Sequence, residues 1–165
     1  MKWKTWKTAC WARTTRMMTI EIFREGEIRF PFHRLKKGDI RVYAEKICSL
    51  LKLRNAGMTL VMTDNSSIRG INKRYRKKDR PTDVISFAFR DSTFPAPGRG
   101  VEELGDMYLS LEQAWLQREF SGSFREEVKR LLVHGILHLI GYDHEKSKKQ
   151  EARMRKMEDE ILGKM

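Results

Sequence analysis

His134-Gly135-Ile136-Leu137-His138-Leu139-Ile140-Gly141-Tyr142-Asp143-His144 is the stretch on which the reading of this chain turns. Three of the chain's four histidines fall inside it. His134 and His138 are four apart, so on a helix both side chains share one face, one turn apart. Gly141 follows three residues later, where a left-handed glycine can close a helix. The chain can then turn and bring His144 back toward the first two. Three converging imidazoles with a fourth position left open form the ligand set of a catalytic zinc site.

The spacing is that of the long zinc-protease motif H-E-x-x-H-x-x-G-x-x-H. The Glu that serves as general base after the first His is missing, and Gly135 stands in its place. The site therefore reads as hydrolytic but not as a peptidase.

Working outward, Ser123-Phe124-Arg125-Glu126 is a capping box that starts the histidine helix. Phe124, Val128, Leu131, Leu132, Leu139 and Ile140 make that helix strongly apolar, so it is expected to be buried and to hold His134 and His138 rigidly. After the motif, residues 146–162 form a polar helix with a thin apolar stripe at Ala152, Met154, Met157, Ile161 and Leu162. Before it, Leu111 to Phe120 reads as a helix ended by Gly122.

Earlier in the chain, Thr19 to Phe23 alternates as a strand does. Gly26 breaks it, and Ile28-Arg29-Phe30 is a candidate short partner. His33, beside Pro31, falls in an expected loop and carries no assigned role. Asp39 can cap a helix to about Leu53, with Val42, Ala44, Ile47, Leu50 and Leu51 at apolar positions. Asn55 and Gly57 end it. Met58 to Met62 reads as a strand, and Asp64 to Ser67 supply turn and cap residues. A helix from about Ser66 to Tyr75 points Ile68 and Ile71 inward. Val84 to Phe89 is near-continuously apolar, which predicts a central strand. Residues 91–103, with Pro95, Pro97, Gly98 and Gly100, read as a mobile loop bordering the site. Gly105 to Ser110 is a further strand.

The net charge of +12 calls for a polyanionic partner, most simply nucleic acid. Residues 1–16 carry Lys2, Lys4, Lys7, Arg13 and Arg16 and no acid, and without them the remainder still carries +7. That leader lacks the apolar core of a secretory signal and is expected to be disordered or to precede the true start, with residues 17–165 forming one domain. The densest basic run is Lys73-Arg74-Tyr75-Arg76-Lys77-Lys78-Asp79-Arg80. It closes a helix, where cations favour the dipole, and it also suits phosphate contact. No apolar run approaches the ~20 residues of a membrane span. Cys10 and Cys48 form no pairing pattern, and Cys48 reads as a buried thiol in a reducing, cytoplasmic compartment.

These blocks together resemble a known family. The histidine stretch closely resembles the signature of the YbeY endoribonucleases, also described as rRNA maturation factors. Asn72 to Arg76 followed by Pro81-Thr82-Asp83-Val84-Ile85-Ser86-Phe87, and Gly105-Asp106 opening a strand, match in order and spacing over about residues 19–162. The ligand positions show no departure, and Ala88 stands where the family's strand usually has Pro. The resemblance implies a single α/β (α+β) domain with a small mixed sheet of about four strands and about five helices. It implies one divalent metal, taken as Zn2+, held by His134, His138 and His144. It implies cleavage of single-stranded RNA in 3′ maturation of small-subunit ribosomal RNA and in ribosome quality control, with RNA and the small subunit as partners. The family's functional arginine falls on Arg76, and Lys73, Arg74, Lys77, Lys78 and Arg80 are candidate RNA contacts. Asp143 and Glu145 are candidate bases, beside a water activated by the ion; the RNA 2′-OH is an alternative nucleophile. The competing reading is an RNA- or ribosome-binding assembly factor whose metal is structural.

Overall fold

The computed structural model describes residues 18–28, 35–91, 102–144 and 147–165. The leader, Arg29 and Phe30 of the expected partner strand, His33, most of the 91–103 loop and Glu145 lie outside them. Among the described residues, four strands and five α-helices follow in the order β1 (Thr19–Glu25), α1 (Lys37–Leu50), β2 (Ala56–Thr63), α2 (Asn65–Arg76), β3 (Val84–Ala88), β4 (Glu102–Ser110), α3 (Leu111–Gln117), α4 (Phe124–Leu139) and α5 (Lys148–Leu162). A short 3-10 turn, Phe89–Asp91, follows β3.

The sheet order is β1-β2-β4-β3. β1 pairs parallel with β2, and β2 parallel with β4. β3 pairs antiparallel with β4. The expected mixed sheet is present, but its centre is not where the sequence placed it. β3 is an edge strand, and β2 and β4 are central. Both faces of β3 are nonetheless covered. Ser86 faces α4, donating its hydroxyl to the Gly135 carbonyl at 3.1 Å. Phe87 faces Tyr75 of α2, with ring centroids 5.0 Å apart. A strand sandwiched by two helices reads as apolar throughout, the usual mark of a central strand.

The core lies between the sheet and α1 and α4, around Ile40, Ile47, Leu60, Met107, Leu132 and Ile136, all essentially inaccessible. α3 and α5 pack on α4, and α5 buries Met154 and Ile161. The Ser123 hydroxyl accepts from the Glu126 N–H, as the capping box predicts. Glu127, in the first turn of α4, is fully buried. Arg130 pairs with it, and the Ser121 hydroxyl donates to it.

Some boundaries differ from the sequence reading. α1 starts after Lys36, and Asp39 sits inside its first turn, where Oδ2 accepts from the Lys36 N–H at 2.8 Å. The carboxylate reaches backward, so it satisfies the helix start from within. Val42 is 60% exposed, off the apolar face. α3 ends at Gln117 rather than Phe120. β4 begins at Glu102, so residues 102 and 103 belong to the sheet rather than to the loop. Ala152 is exposed, narrowing the α5 stripe.

Candidate metal centre and its cleft

α4 ends in a two-bond glycine turn. The Gly141 N–H donates to the His138 carbonyl, and the Tyr142 N–H to the Leu137 carbonyl, both at 3.0 Å. Gly141 has φ +95°. This is the Schellman pattern, which reverses the chain at a helix end. The reversal brings the His144 ring to 5.2 Å from His134 and 5.0 Å from His138, measured between centroids. His134 and His138 are themselves 4.7 Å apart.

Their facing nitrogens are closer. His134 Nε2 and His138 Nε2 lie 3.1 Å apart. Two imidazoles on one tetrahedral ion, each at ~2.0–2.1 Å, place their nitrogens ~3.3 Å apart. The three rings offer nitrogens that all lie within 4.8 Å of one another. The group is compatible with a metal ion.

Two of the three rings are also held by groups other than the cluster itself. Glu158 Oε1 lies 2.7 Å from His134 Nδ1. A proton on Nδ1 leaves the Nε2 lone pair facing the cluster, the arrangement found where a carboxylate orients a metal-binding His. Burial alone would raise the Glu158 carboxyl. The His134 hydrogen bond and charge, with Arg130 and His144, outweigh burial and hold it below the usual carboxylate range. His138 has a backbone hydrogen bond to Tyr142. Burial, followed by the charges of His134 and His144, pushes His138 down to about 4. It is neutral at pH 7, the form that binds metal.

The cluster opens onto a cleft of about 500 Å³. Arg76, at the end of α2, lines the same cleft, as do Tyr75, Phe87 and Asp143. The residues between α2 and β3 are fixed by Asn72 and Asp83. The Asn72 carbonyl accepts from the N–H groups of Lys77 and Lys78, and its side-chain amide donates to the Arg80 carbonyl at 2.7 Å. Asp83 Oδ1 accepts from the Thr82 hydroxyl and the Val84 N–H.

The basic run divides. Arg76 shares the cleft with the histidines, and Arg74 lines an adjoining groove. Lys73 is paired with Asp79 at 2.8 Å, and Asp79 also holds Arg69. Lys77, Lys78 and Arg80 are exposed on the turn beyond the helix. Glu158 is the site residue that sequence reading missed. A signal existed, because Glu158 lies four after Met154 and three before Ile161. It is a carboxylate set within the buried stripe of α5.

Gly135 also gains a structural reason. A Cβ there would come within 2.0 Å of Met107 Sδ and 3.2 Å of Ser86 Oγ. The position faces the sheet, so a glutamate base has no room at it.

Comparison with known proteins finds a matching family and close relatives. The family model described as Endoribonuclease YbeY matches residues 31–165. A relative named Endoribonuclease YbeY from Aquifex aeolicus is 42% identical over 139 residues, covering 84% of this chain and 89% of its own. Another of that name, from a Sulfurihydrogenibium species, is 46% identical over 132 residues, covering 79% and 84%. The solution structure of a Thermotoga maritima protein matches with a TM-score of 0.51 and 28% identity, over 88% of this chain and 91% of that one. Among the described residues, no helix is long and apolar enough to cross a membrane.

Proposed function

The chain belongs to the YbeY endoribonuclease family, and from that premise we propose that it is a divalent-metal-dependent endoribonuclease cutting single-stranded RNA. Its proposed task is 3′ maturation of small-subunit ribosomal RNA and ribosome quality control in the cytoplasm, with RNA and the small subunit as partners. His134, His138 and His144 are the proposed ligands of one Zn2+. The observation that carries the reading is the shared cleft, which Arg76 lines together with three converging imidazoles.

A divalent ion held by these rings supplies Lewis acidity toward a phosphate oxygen or lowers the pKa of a water. The protein's own groups do the rest. The Arg76 guanidinium binds the phosphate through its planar fork and offsets charge that builds on the oxygens during cleavage. Glu158 keeps a proton on His134 Nδ1, and the Tyr142 backbone bond orients His138. Asp143, on the cleft wall, is the candidate to take a proton from the attacking oxygen. Lys77, Lys78 and Arg80 extend the positive surface along which the RNA backbone lies. Lys73 and Arg74 belong to the same run, with Lys73 partly neutralised by Asp79.

The competing assembly-factor reading needs a closed metal shell. The open cleft beside the histidines favours catalysis. The test is cleavage of a single-stranded RNA by metal-stripped protein with and without added Zn2+, with the product ends mapped. Zinc-dependent cleavage lost in His134→Ala supports the enzyme. Wild-type RNA binding without cleavage by any divalent ion overturns it in favour of the assembly factor. A 2′,3′-cyclic phosphate end identifies the RNA 2′-OH as nucleophile, and a 5′-phosphate identifies water.

A further inference from the structure

A second groove of about 490 Å³ adjoins the metal cleft on the other side of β3. Tyr75 and Phe87 line both. Beyond them the groove is walled by Tyr108, Asp106, Glu25 and Arg74. The three aromatic rings form a ladder. Tyr75 meets Phe87 edge-on at 5.0 Å, and Phe87 meets Tyr108 edge-on at 6.0 Å. The ladder supports Tyr75 from below, while Tyr75 itself remains 58% exposed. Arg74 lies over the Tyr75 ring at 5.4 Å.

The Gly105-Asp106 pair of β4 is only half explained by the fold. Gly105 has φ +137°, and a Cβ on it would meet the Phe87 carbonyl at 2.0 Å, so only glycine fits. Asp106 pairs across the strands with Phe87 and is aimed into the groove. Neither the Asp106 nor the Glu25 carboxylate forms a hydrogen bond or ion pair among the described residues. Burial first, then their charges and that of Tyr75, push the Tyr108 phenol up.

We propose that this groove is a base-binding subsite of the RNA site. It takes the nucleobase next to the phosphate in the metal cleft, stacks it on Tyr75, and favours bases with an exocyclic amine over uracil. The inference rests on the RNA-cleaving reading of the cleft. Continuity places it, since a strand leaving the cleft meets Tyr75 and Phe87 first. Stacking on an exposed aromatic is how single-stranded nucleic acid is held without pairing. Two carboxylates accept from amine donors of cytosine, adenine or guanine, and they repel phosphate. Arg74 at the rim takes the neighbouring backbone charge.

The test uses metal-stripped full-length protein, which binds without cutting, and single-stranded hexanucleotides carrying 2-aminopurine at successive positions. The wild-type complex is expected to quench the fluorophore at one position. Tyr75→Phe keeps the quenching. Tyr75→Ala loses it and weakens binding about tenfold, the contribution of one stacked base. At that position cytosine binds more tightly than uracil, and Asp106→Asn narrows the difference. Absence of quenching in the wild type, or equal binding by Tyr75→Ala and wild type with thermal unfolding unchanged, overturns the subsite. Failure here with zinc-dependent cleavage intact removes only the subsite. Quenching without cleavage by any metal removes the nuclease reading and leaves the groove a base-binding site.

Discussion

At the scale of single residues, His134 depends on a neighbour the motif does not include. His134 presents Nε2 to the cluster because Glu158 holds Nδ1 at 2.7 Å. Outer partners of this kind typically contribute 10–100-fold in metal affinity. Glu158→Gln is therefore expected to weaken Zn2+ binding ~10–100-fold in competition with a chromophoric chelator, with the fold retained. Unchanged affinity would show that His134 needs no such support. The three histidines were legible from their spacing, whereas Arg76 was singled out within the basic run only by the family resemblance. Glu158 was not, because nothing local links it to a histidine 24 residues earlier. Only the docking of α5 on α4 makes them neighbours.

At the scale of elements, α4 is both wall and scaffold. Its apolar side is sealed against the sheet, and its polar edge carries His134 and His138. Gly135 is where the packing is tightest. Helix propensity alone says that Gly135→Ala stabilises by ~1 kcal/mol. The 2.0 Å approach of a Cβ to Met107 Sδ says the opposite, since overpacking a filled core costs ~1–3 kcal/mol. Packing is expected to win at so close an approach, and Gly135→Ala should lower the urea midpoint by an amount equivalent to at most roughly 2 kcal/mol, the overpacking cost less the propensity gain. A neutral or higher midpoint would mean that Met107 moves aside freely. Ser123, Gly141 and the apolar period disclosed this helix in the sequence. Strand β3 was harder. Its near-continuous apolar run records cover on two faces, and that pattern does not say whether a second strand lies beside it. The same two-sided cover creates the site, because α4 and α2 bring histidines and Arg76 together around one sheet edge.

At the scale of the whole molecule, the site makes stability depend on pH. His138 is pushed down to about 4 in the folded protein, against ~6.5 unfolded. The unfolded chain therefore binds more protons between these values, and stability falls as pH drops through that window. Glu158, held below its ordinary range, acts in the same direction at lower pH. Metal-free wild type should lose urea resistance from pH 7 to pH 4.5 more steeply than His138→Asn, and parallel slopes would contradict this. Much of the fold was readable, because strands and helices alternate from β1 to β3 and most of the helices carry a start or stop signal. What could not be read was how far-apart segments meet, as the aromatic ladder from α2 through β3 to β4 illustrates. The central claim is that three imidazoles hold one ion on which RNA cleavage depends. It is tested most directly by titrating Zn2+ into metal-stripped protein while following single-turnover cleavage of a single-stranded RNA. The account predicts a rate that saturates at one equivalent per chain in the wild type and stays at background in His138→Ala. Full cleavage by the stripped protein, or a His138→Ala curve that overlays the wild type, would contradict it.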